Sequence, residues 1–369
     1  MGKLGQLTQT FLFWTLGLTL GGYMLFPYLE AEGFGTLEML VFFALAYVVP
    51  FLMLLPLKKL TAEKSLFWGF ASTSVAYFCL GFFGGVLGLF LWIVFAGASF
   101  TLFWVPFNGL WFKHKKWGNA VHGATYYGII FTIGIFGPMV AGFLVAETAY
   151  STLFYLSAAI LAIGAIVSRG LGKGAEERRL NLKQGIDAIS GFKTLFLLEG
   201  IGMIGCQVIL FLITLEYFSE PLEFGLFLGS TTLIAVLLSL IFAKISDSKQ
   251  RRREFIVVGS AGFGASLLLA SFSYDVAWWF VAVVLVGLFR SLFPPFPMAL
   301  LADKKKDIQA AMYGREILFN FARGTFLALS VLMYYFLGDL RIPLFLTGIA
   351  MLAYPAIFEL AKRKKIGLN

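Results

Sequence analysis

Residues 84–106 read GGVLGLFLWIVFAGASFTLFWVP, a run without a single charged side chain. About 20 predominantly apolar residues in a helix cross the ~30 Å hydrocarbon core of a bilayer. Eleven other runs resemble this one, and hydrophobic residues make up 59% of the 369-residue chain. Numbered in chain order, the twelve predicted spans are residues 8–27, 38–57, 65–82, 84–106, 123–144, 150–168, 193–215, 222–243, 255–273, 276–301, 313–337 and 342–361.

The apolar runs are continuous, whereas the strands of a membrane β-barrel alternate apolar and polar residues over ~10 positions. Helices are the remaining structure in which the backbone N–H and C=O groups are all hydrogen-bonded within the lipid. The predicted fold class is therefore an all-α polytopic membrane protein with twelve transmembrane helices.

Charge alternates between successive loops and predicts the orientation of the chain. One set of loops and the C-terminal tail carry almost all the Lys and Arg, from Lys58 to Lys365, with Arg341 as the exception. The opposite loops hold acidic residues such as Glu30, Glu147 and Asp339. Because basic loops resist translocation, we expect a multi-pass protein of the cell membrane with both termini in the cytoplasm.

The net charge of +9 is spread over these short loops and does not form one patch, so no nucleic-acid partner is predicted. The two cysteines, Cys79 and Cys206, lie in different spans. The two histidines, His114 and His122, have no companions at metal-ligand spacing. We predict no metal, no cofactor and a monomeric protein whose partners are lipid, a small-molecule substrate and protons.

The chain divides into two similar halves. Residues 169–192 form the longest and most charged connection and separate six spans from six. The tripeptide Val105-Pro106-Phe107 in the first half corresponds to Phe296-Pro297-Met298 in the second. Two further short segments match between the halves at a similar separation along the sequence. The predicted domains are an N-terminal six-helix bundle at 1–168, a central cytoplasmic loop at 169–192 and a C-terminal six-helix bundle at 193–369. Parallel repeats of this kind occur in secondary transporters with a site between the halves.

Two motifs support a family resemblance. The loop after span 8 reads AKISDSKQRRR (243–253), with an Asp four residues after a small residue and then a basic cluster. Span 5 contains GPMVAG at 137–142. The chain thereby resembles the major facilitator superfamily, although the first-half loop LKKLTAEK (57–64) has Ala62 in place of the Asp. The resemblance implies two pseudo-symmetric bundles in which spans 1, 4, 7 and 10 line a cavity.

Charged residues inside spans are costly and therefore need a partner, water or a function. Glu199 in span 7 and Arg290 in span 10 lie at similar depths. They are candidates to pair as a gate, to bind an anionic substrate and a proton separately, or to form a permanent ion pair between helices.

Polar residues also follow one helical face in three spans. On span 11 they are Glu316, Asn320 and Arg323, which form either a coupling site or interhelical packing. Gln207 on span 7, with Thr19 and Tyr23 on span 1, are candidates for substrate contact.

Two further groups of residues concern conformational change. The resemblance implies that Asp247, Arg251 and Arg252 form a gating loop that holds one access state. Gly137 and Pro138 are predicted to kink helix 5 and allow close approach to another backbone, because Gly lacks a side chain and Pro an amide donor.

The sequence favours a secondary active transporter that moves a small organic solute by alternating access with ion or proton coupling. Arg290 and Arg323 favour an organic anion, whereas the aromatic content of 17% favours proton-coupled export of hydrophobic compounds or drugs. A membrane-embedded enzyme is the rival class, but no reactive constellation supports it, and a non-transporting sensor is a further alternative.

Overall fold

A computed structural model describes residues 2–113, 119–171, 178–246, 252–305 and 307–363. Each predicted span corresponds to a helical segment, and twelve of these are long and apolar enough to cross a membrane. We keep the span numbers. The helices of spans 1–6 are Lys3–Tyr23 with Leu25–Ala31, Thr36–Leu54, Ala62–Phe83, Gly85–Lys113, Asn119–Glu147 and Tyr150–Ser168. Those of spans 7–12 are Lys193–Ile204 continued by Leu210–Tyr217, Pro221–Ser246, Arg252–Ser271, Val276–Leu292 with Pro295–Lys304, Ile308–Leu337 and Arg341–Arg363.

Three spans are interrupted. Span 1 breaks at Met24, and span 10 breaks at Phe293 and Pro294. The prolines Pro294, Pro295 and Pro297 in the sequence predict a break or bend at this end of span 10. Span 7 contains a five-residue π-helical turn, Gly205–Ile209. These interruptions lie beside the interface between the two halves.

The same helix pairs pack in both halves. In the first half, span 1 packs on spans 5 and 6, span 3 on spans 4 and 6, and span 2 on span 4. Each of these pairs recurs six spans later: 7 with 11 and 12, 9 with 10 and 12, and 8 with 10. The fold is therefore two pseudo-symmetric six-helix bundles.

The two halves meet along a seam made by span 5 against span 8 and span 2 against span 11. Because an even number of spans returns the chain to its starting side, both chain ends lie on one side, which we call the termini side. The opposite side is the far side. Near the far side, Gly225 lies against the carbonyl of Pro138, and Gly142 lies against the carbonyl of Pro221. These glycines bring the two backbones together because no Cβ separates them.

The connection between the halves has structure of its own on the termini side. Strand β1, Lys59–Leu60, pairs antiparallel with strand β2, Arg178–Arg179. A short linker helix, Leu182–Ala188, follows β2 and is capped by the Asn181 side chain. Its Gly185 packs against Gly314 at the start of span 11, so the linker contacts both halves.

Apolar side chains cover the outside of the bundles as well as the core. Phe82, Val86 and Phe336 are 64%, 73% and 76% exposed. A soluble protein rarely leaves large apolar patches exposed, whereas lipid requires them. The chain is a multi-pass membrane protein.

Candidate solute-binding site

A cavity of about 320 Å³ lies between the two halves. Spans 1 to 5 line it from the first half, and spans 7, 10 and 11 line it from the second. Its volume is at the lower end of the ~300–1,000 Å³ that small-molecule sites occupy. The cavity therefore has room for a compact solute.

Five charged side chains line the cavity, and three of them form one cluster. Arg315 on span 11 donates from Nη2 to Glu199 Oε1 and from Nη1 to Glu316 Oε1, each at 2.8 Å. Glu199 is completely buried. The guanidinium of Arg315 also lies 4.4 Å from the ring centroid of Phe319. One cation thus holds two carboxylates, and the second oxygen of Glu199 is buried without a hydrogen-bond partner among the described residues.

The ion-pair partner of Glu199 is Arg315, whereas the sequence suggested Arg290. Predicted span 11 began at residue 313, which placed Arg315 at the membrane surface where a basic residue needs no explanation. In the structure the helix begins at Ile308, and the Asp307 side chain caps it by accepting from Ala310 N. Arg315 therefore lies about two turns inside the helix. An Asp immediately before a helical run is an N-cap signal that would have moved the boundary.

Arg290 and Arg323 also line the cavity but are not compensated by carboxylates. Neither forms an ion pair with any residue that the structure describes, and the Nε atom of each is buried without a hydrogen-bond partner there. The Arg323 guanidinium lies 3.9 Å from the ring centroid of Phe319 and 5.3 Å from that of Tyr47. The two cations therefore line one cavity from spans 10 and 11.

Glu316, Asn320 and Arg323 form a polar stripe along one face of span 11, and Asn320 differs from the other two in its contacts. Asn320 is buried and donates from Nδ2 to the backbone carbonyl of Glu316 at 2.8 Å. It is not among the residues that line the cavity, whereas Glu316 and Arg323 are. The stripe thus divides into two cavity residues and one that bonds within its own helix.

Gln207 lines the cavity from the π-helical turn of span 7. A π-turn is rare and often marks a functional site, because it places one extra residue in the helix. Gly205 in the same turn packs tightly against Thr347 of span 12, which fixes the position of the turn.

The candidates on spans 1 and 5 meet at the seam. Thr19 and Tyr23 line the cavity, and the Tyr23 ring is 5.4 Å from that of Phe211 on span 7. Gly137 packs against the Thr19 side chain, and Pro138 lies within an unbroken helix whose backbone contacts span 8. The close backbone approach predicted for this segment is thus made to the other half of the chain.

The predicted gating loop lies mostly outside the described residues, which do not include Asp247 and Arg251. Arg252 is the first residue of the span 9 helix.

Groups of three or more metal-ligating side chains are absent from the described residues.

Contacts join the halves on both sides of the cavity. On the far side, the Phe26 ring is 5.3 Å from that of Phe211 and 6.3 Å from that of Phe224. On the termini side, the Tyr313 hydroxyl donates to the Leu54 carbonyl at 2.8 Å. These contacts are candidates to separate when the cavity opens to one side or the other.

Residues 195–366 match the family model described as Major Facilitator Superfamily. A crystal structure of a POT family transporter in complex with a thioalcohol-conjugated peptide superposes with a TM-score of 0.71 over 98% of this chain and 96% of that one, at 14% identity. The second half of the chain is therefore similar to this superfamily, and the whole chain shares the fold of these transporters. A search of curated proteins finds no match.

Other solved structures share this fold with the chain. A variant of the peptide transporter POT aligns at 15% identity with a TM-score of 0.68, over 99% of this chain and 94% of that one. A POT family transporter in complex with 5-aminolevulinic acid aligns at 14% identity with a TM-score of 0.68, over 98% and 96% of the two chains. At these identities the likeness concerns the fold.

Proposed function

We propose that this chain is a transporter of the major facilitator superfamily that is secondary active and carries a small organic anion by alternating access. The observation that carries the proposal is the pair Arg290 and Arg323 in the cavity. Arg290 is partly buried and Arg323 is buried, the Nε atom of each is enclosed, and neither has a carboxylate partner among the described residues. An uncompensated buried charge is costly, and an anionic ligand would offset that cost. A wide range of solutes uses this fold, so the site and not the fold supports the choice of an anion.

The seam supports alternating access. The cavity lies between bundles that contact each other on both its far side and its termini side. Rocking of one bundle against the other would open one set of contacts while keeping the other. The two-bundle division at residues 169–192 follows from the same proposal, since the linker would allow that movement.

Glu199 and Glu316 are the candidates for proton coupling. They share the single cation Arg315, so a proton on one carboxylate leaves the ion pair of the other intact. The unpartnered oxygen of Glu199 is the natural position for that proton. The basic loops on the termini side support a cytoplasmic location for both termini, and we expect the protein to act as a monomer in the cell membrane.

The test uses the purified full chain. A thermal-shift screen against small carboxylates and phosphates identifies a ligand, because a ligand that binds only the folded state raises its stability. Uptake of that compound into proteoliposomes is then measured for the wild type, Arg290→Gln and Arg323→Gln. Arg253→Gln is the matched control, since Arg253 is exposed and paired with Glu359 outside the cavity. Loss of uptake in both cavity variants and not in the control supports the proposal. Unchanged uptake in both rejects Arg290 and Arg323 as the anion site, and the absence of any carboxylate or phosphate that binds or is taken up rejects anion transport.

A second candidate is proton-coupled export of hydrophobic compounds, which the aromatic lining of the cavity favours. Growth of deletion and overexpression strains on a panel of toxic compounds tests it. Sensitivity that changes with the compound's apolar character, and not with its charge, would favour this candidate.

A further inference from the structure

The two halves contribute different chemistry to the cavity. Among the lining residues that the structure describes, every Asp, Glu, Lys and Arg comes from the second half, on spans 7, 10 and 11. The first half contributes eleven aromatic side chains among its twenty lining residues and no such charge. A solute in the cavity therefore meets a charged surface on one side of the seam and an aromatic surface on the other.

The charged surface has a net positive charge. Arg315, Glu199 and Glu316 together carry one negative charge when ionised, and Arg290 and Arg323 add two positive charges. The sum is one positive charge, which a monoanion neutralises. Because Arg315 is already held by two carboxylates, the cations left for a ligand are Arg290 and Arg323.

The aromatic surface is packed in advance of any ligand. Trp104 lies on span 4 with its ring 6.1 Å from that of Trp14 in an edge-to-face arrangement, and 6.5 Å from that of Tyr126. Trp14 in turn stacks on Phe103 with ring centroids 3.6 Å apart. Such rings bind the faces and edges of other aromatic groups favourably. Phe103, which does not line the cavity, packs against both Trp14 and Trp104 and holds them in position.

We infer that the ligand is an amphipathic monoanion, such as an aromatic carboxylic acid, bound across the seam. Its carboxylate contacts Arg290 and Arg323 in the second half, and its ring packs against the aromatic surface of the first half. This inference rests on the proposed function and adds the aromatic part of the solute and its orientation in the cavity. The cavity volume of about 320 Å³ limits that aromatic part to one or two rings.

Bound in this way, the ligand connects the two bundles. Arg323 and Tyr47 already face each other across the seam, with 5.3 Å between the guanidinium carbon and the ring centroid. An anion at Arg323 with a ring beside Tyr47 would join span 11 to span 2. Neither a small inorganic anion nor a neutral apolar compound makes both contacts.

The experiment measures binding of three probes to the full chain by isothermal titration calorimetry. They are 1-naphthoate, its neutral analogue 1-naphthamide, and acetate, which has the charge without the ring. We expect 1-naphthoate to bind at least tenfold more tightly than either of the others. Equal binding of 1-naphthamide overturns the charged subsite, and equal binding of acetate overturns the aromatic one.

Variants then assign the two ends of the ligand. Arg323→Gln is expected to reduce the preference for 1-naphthoate over 1-naphthamide at least tenfold, and Trp104→Leu to reduce the preference for 1-naphthoate over acetate. Arg253→Gln is expected to change neither. If acetate and other small anions are transported through Arg290 and Arg323 while 1-naphthoate does not bind, this inference fails and the proposed function stands. If no organic anion binds or is transported, both fail.

Discussion

Arg315 on span 11 and Glu199 on span 7 form an ion pair of 2.8 Å whose two side chains are 6% and 0% exposed. Because both side chains are buried, water screens their electrostatic attraction very little. Removing either side chain therefore removes nearly the whole interaction. The same guanidinium holds Glu316, and span 7 is thereby tied to span 11 beside the cavity.

Arg315→Gln is therefore expected to destabilise the folded protein. Removing the cation leaves two buried carboxylates uncompensated, and breaking a buried pair in this way costs about 3–5 kcal/mol. Glu199→Gln is expected to cost less, because Arg315 keeps Glu316. Thermal unfolding in detergent checks the order of the two variants, and an Arg315→Gln protein as stable as the wild type would contradict it.

Arg323→Gln, in contrast to Arg315→Gln, is expected to keep or raise the stability of the folded protein. Arg323 forms no ion pair with the described residues, so its replacement removes an uncompensated buried charge and loses only its contacts with the rings of Phe319 and Tyr47. Such ring contacts contribute about 0.5–2 kcal/mol. We expect a melting temperature equal to that of the wild type or higher, together with loss of anion uptake. A large fall in the melting temperature would mean that Arg323 serves structure and not the solute.

Gly225→Ala is expected to disrupt the far-side seam. An added Cβ would overlap the carbonyl of Pro138, which is backbone and cannot rotate away. Overpacking of this kind costs about 1–3 kcal/mol. Gly128→Ala is the control on span 5, because no atom lies within 4 Å of a Cβ built there. A lower melting temperature for Gly225→Ala alone is the expected result, and equal values for both variants would show that the seam tolerates separation.

Tyr313→Phe is expected to favour opening on the termini side. It removes the hydrogen bond from Tyr313 to the Leu54 carbonyl across the seam, and a net hydrogen bond of about 1 kcal/mol shifts a two-state equilibrium roughly fivefold. The readout is the maleimide labelling rate of Gln207→Cys in a background with Cys79→Ala and Cys206→Ala.

The control for this experiment is Tyr335→Phe, a change of the same chemistry on the same helix at a side chain that is 67% exposed. Faster labelling with Tyr313→Phe and an unchanged rate with Tyr335→Phe are expected. Slower or equal labelling with Tyr313→Phe would remove that hydrogen bond from the set of contacts that close the cavity.

The twelve spans could be predicted from the sequence because lipid imposes a uniform demand for long apolar helices. The prolines after Arg290 likewise predicted the break in span 10, since proline acts on its own turn of helix. The partner of Glu199 was not predicted, because it depended on where span 11 begins, and hydropathy places such a boundary only approximately. One turn more of helix changes Arg315 from a surface residue to a buried one.

Long-range pairing could not be predicted either. Lys59 and Arg179 face each other in two strands of two residues, too short to leave an alternating pattern. The separation of charges and aromatic rings between the halves is also invisible in one dimension, since aromatic residues are frequent throughout the chain. It emerges only when the fold selects which side chains reach the cavity.

The π-turn at Gly205–Ile209 has a consequence for the register of span 7. Each residue of an α-helix advances the chain by about 100°, so deleting one residue from this turn would make the helix regular and rotate everything that follows it. Phe211 would leave its place beside Phe26 and Phe224, and Thr214 would lose the bond that it accepts from the Trp279 indole. The one extra residue of the π-turn thus sets the direction, around the helix axis, in which every side chain of Leu210–Tyr217 points.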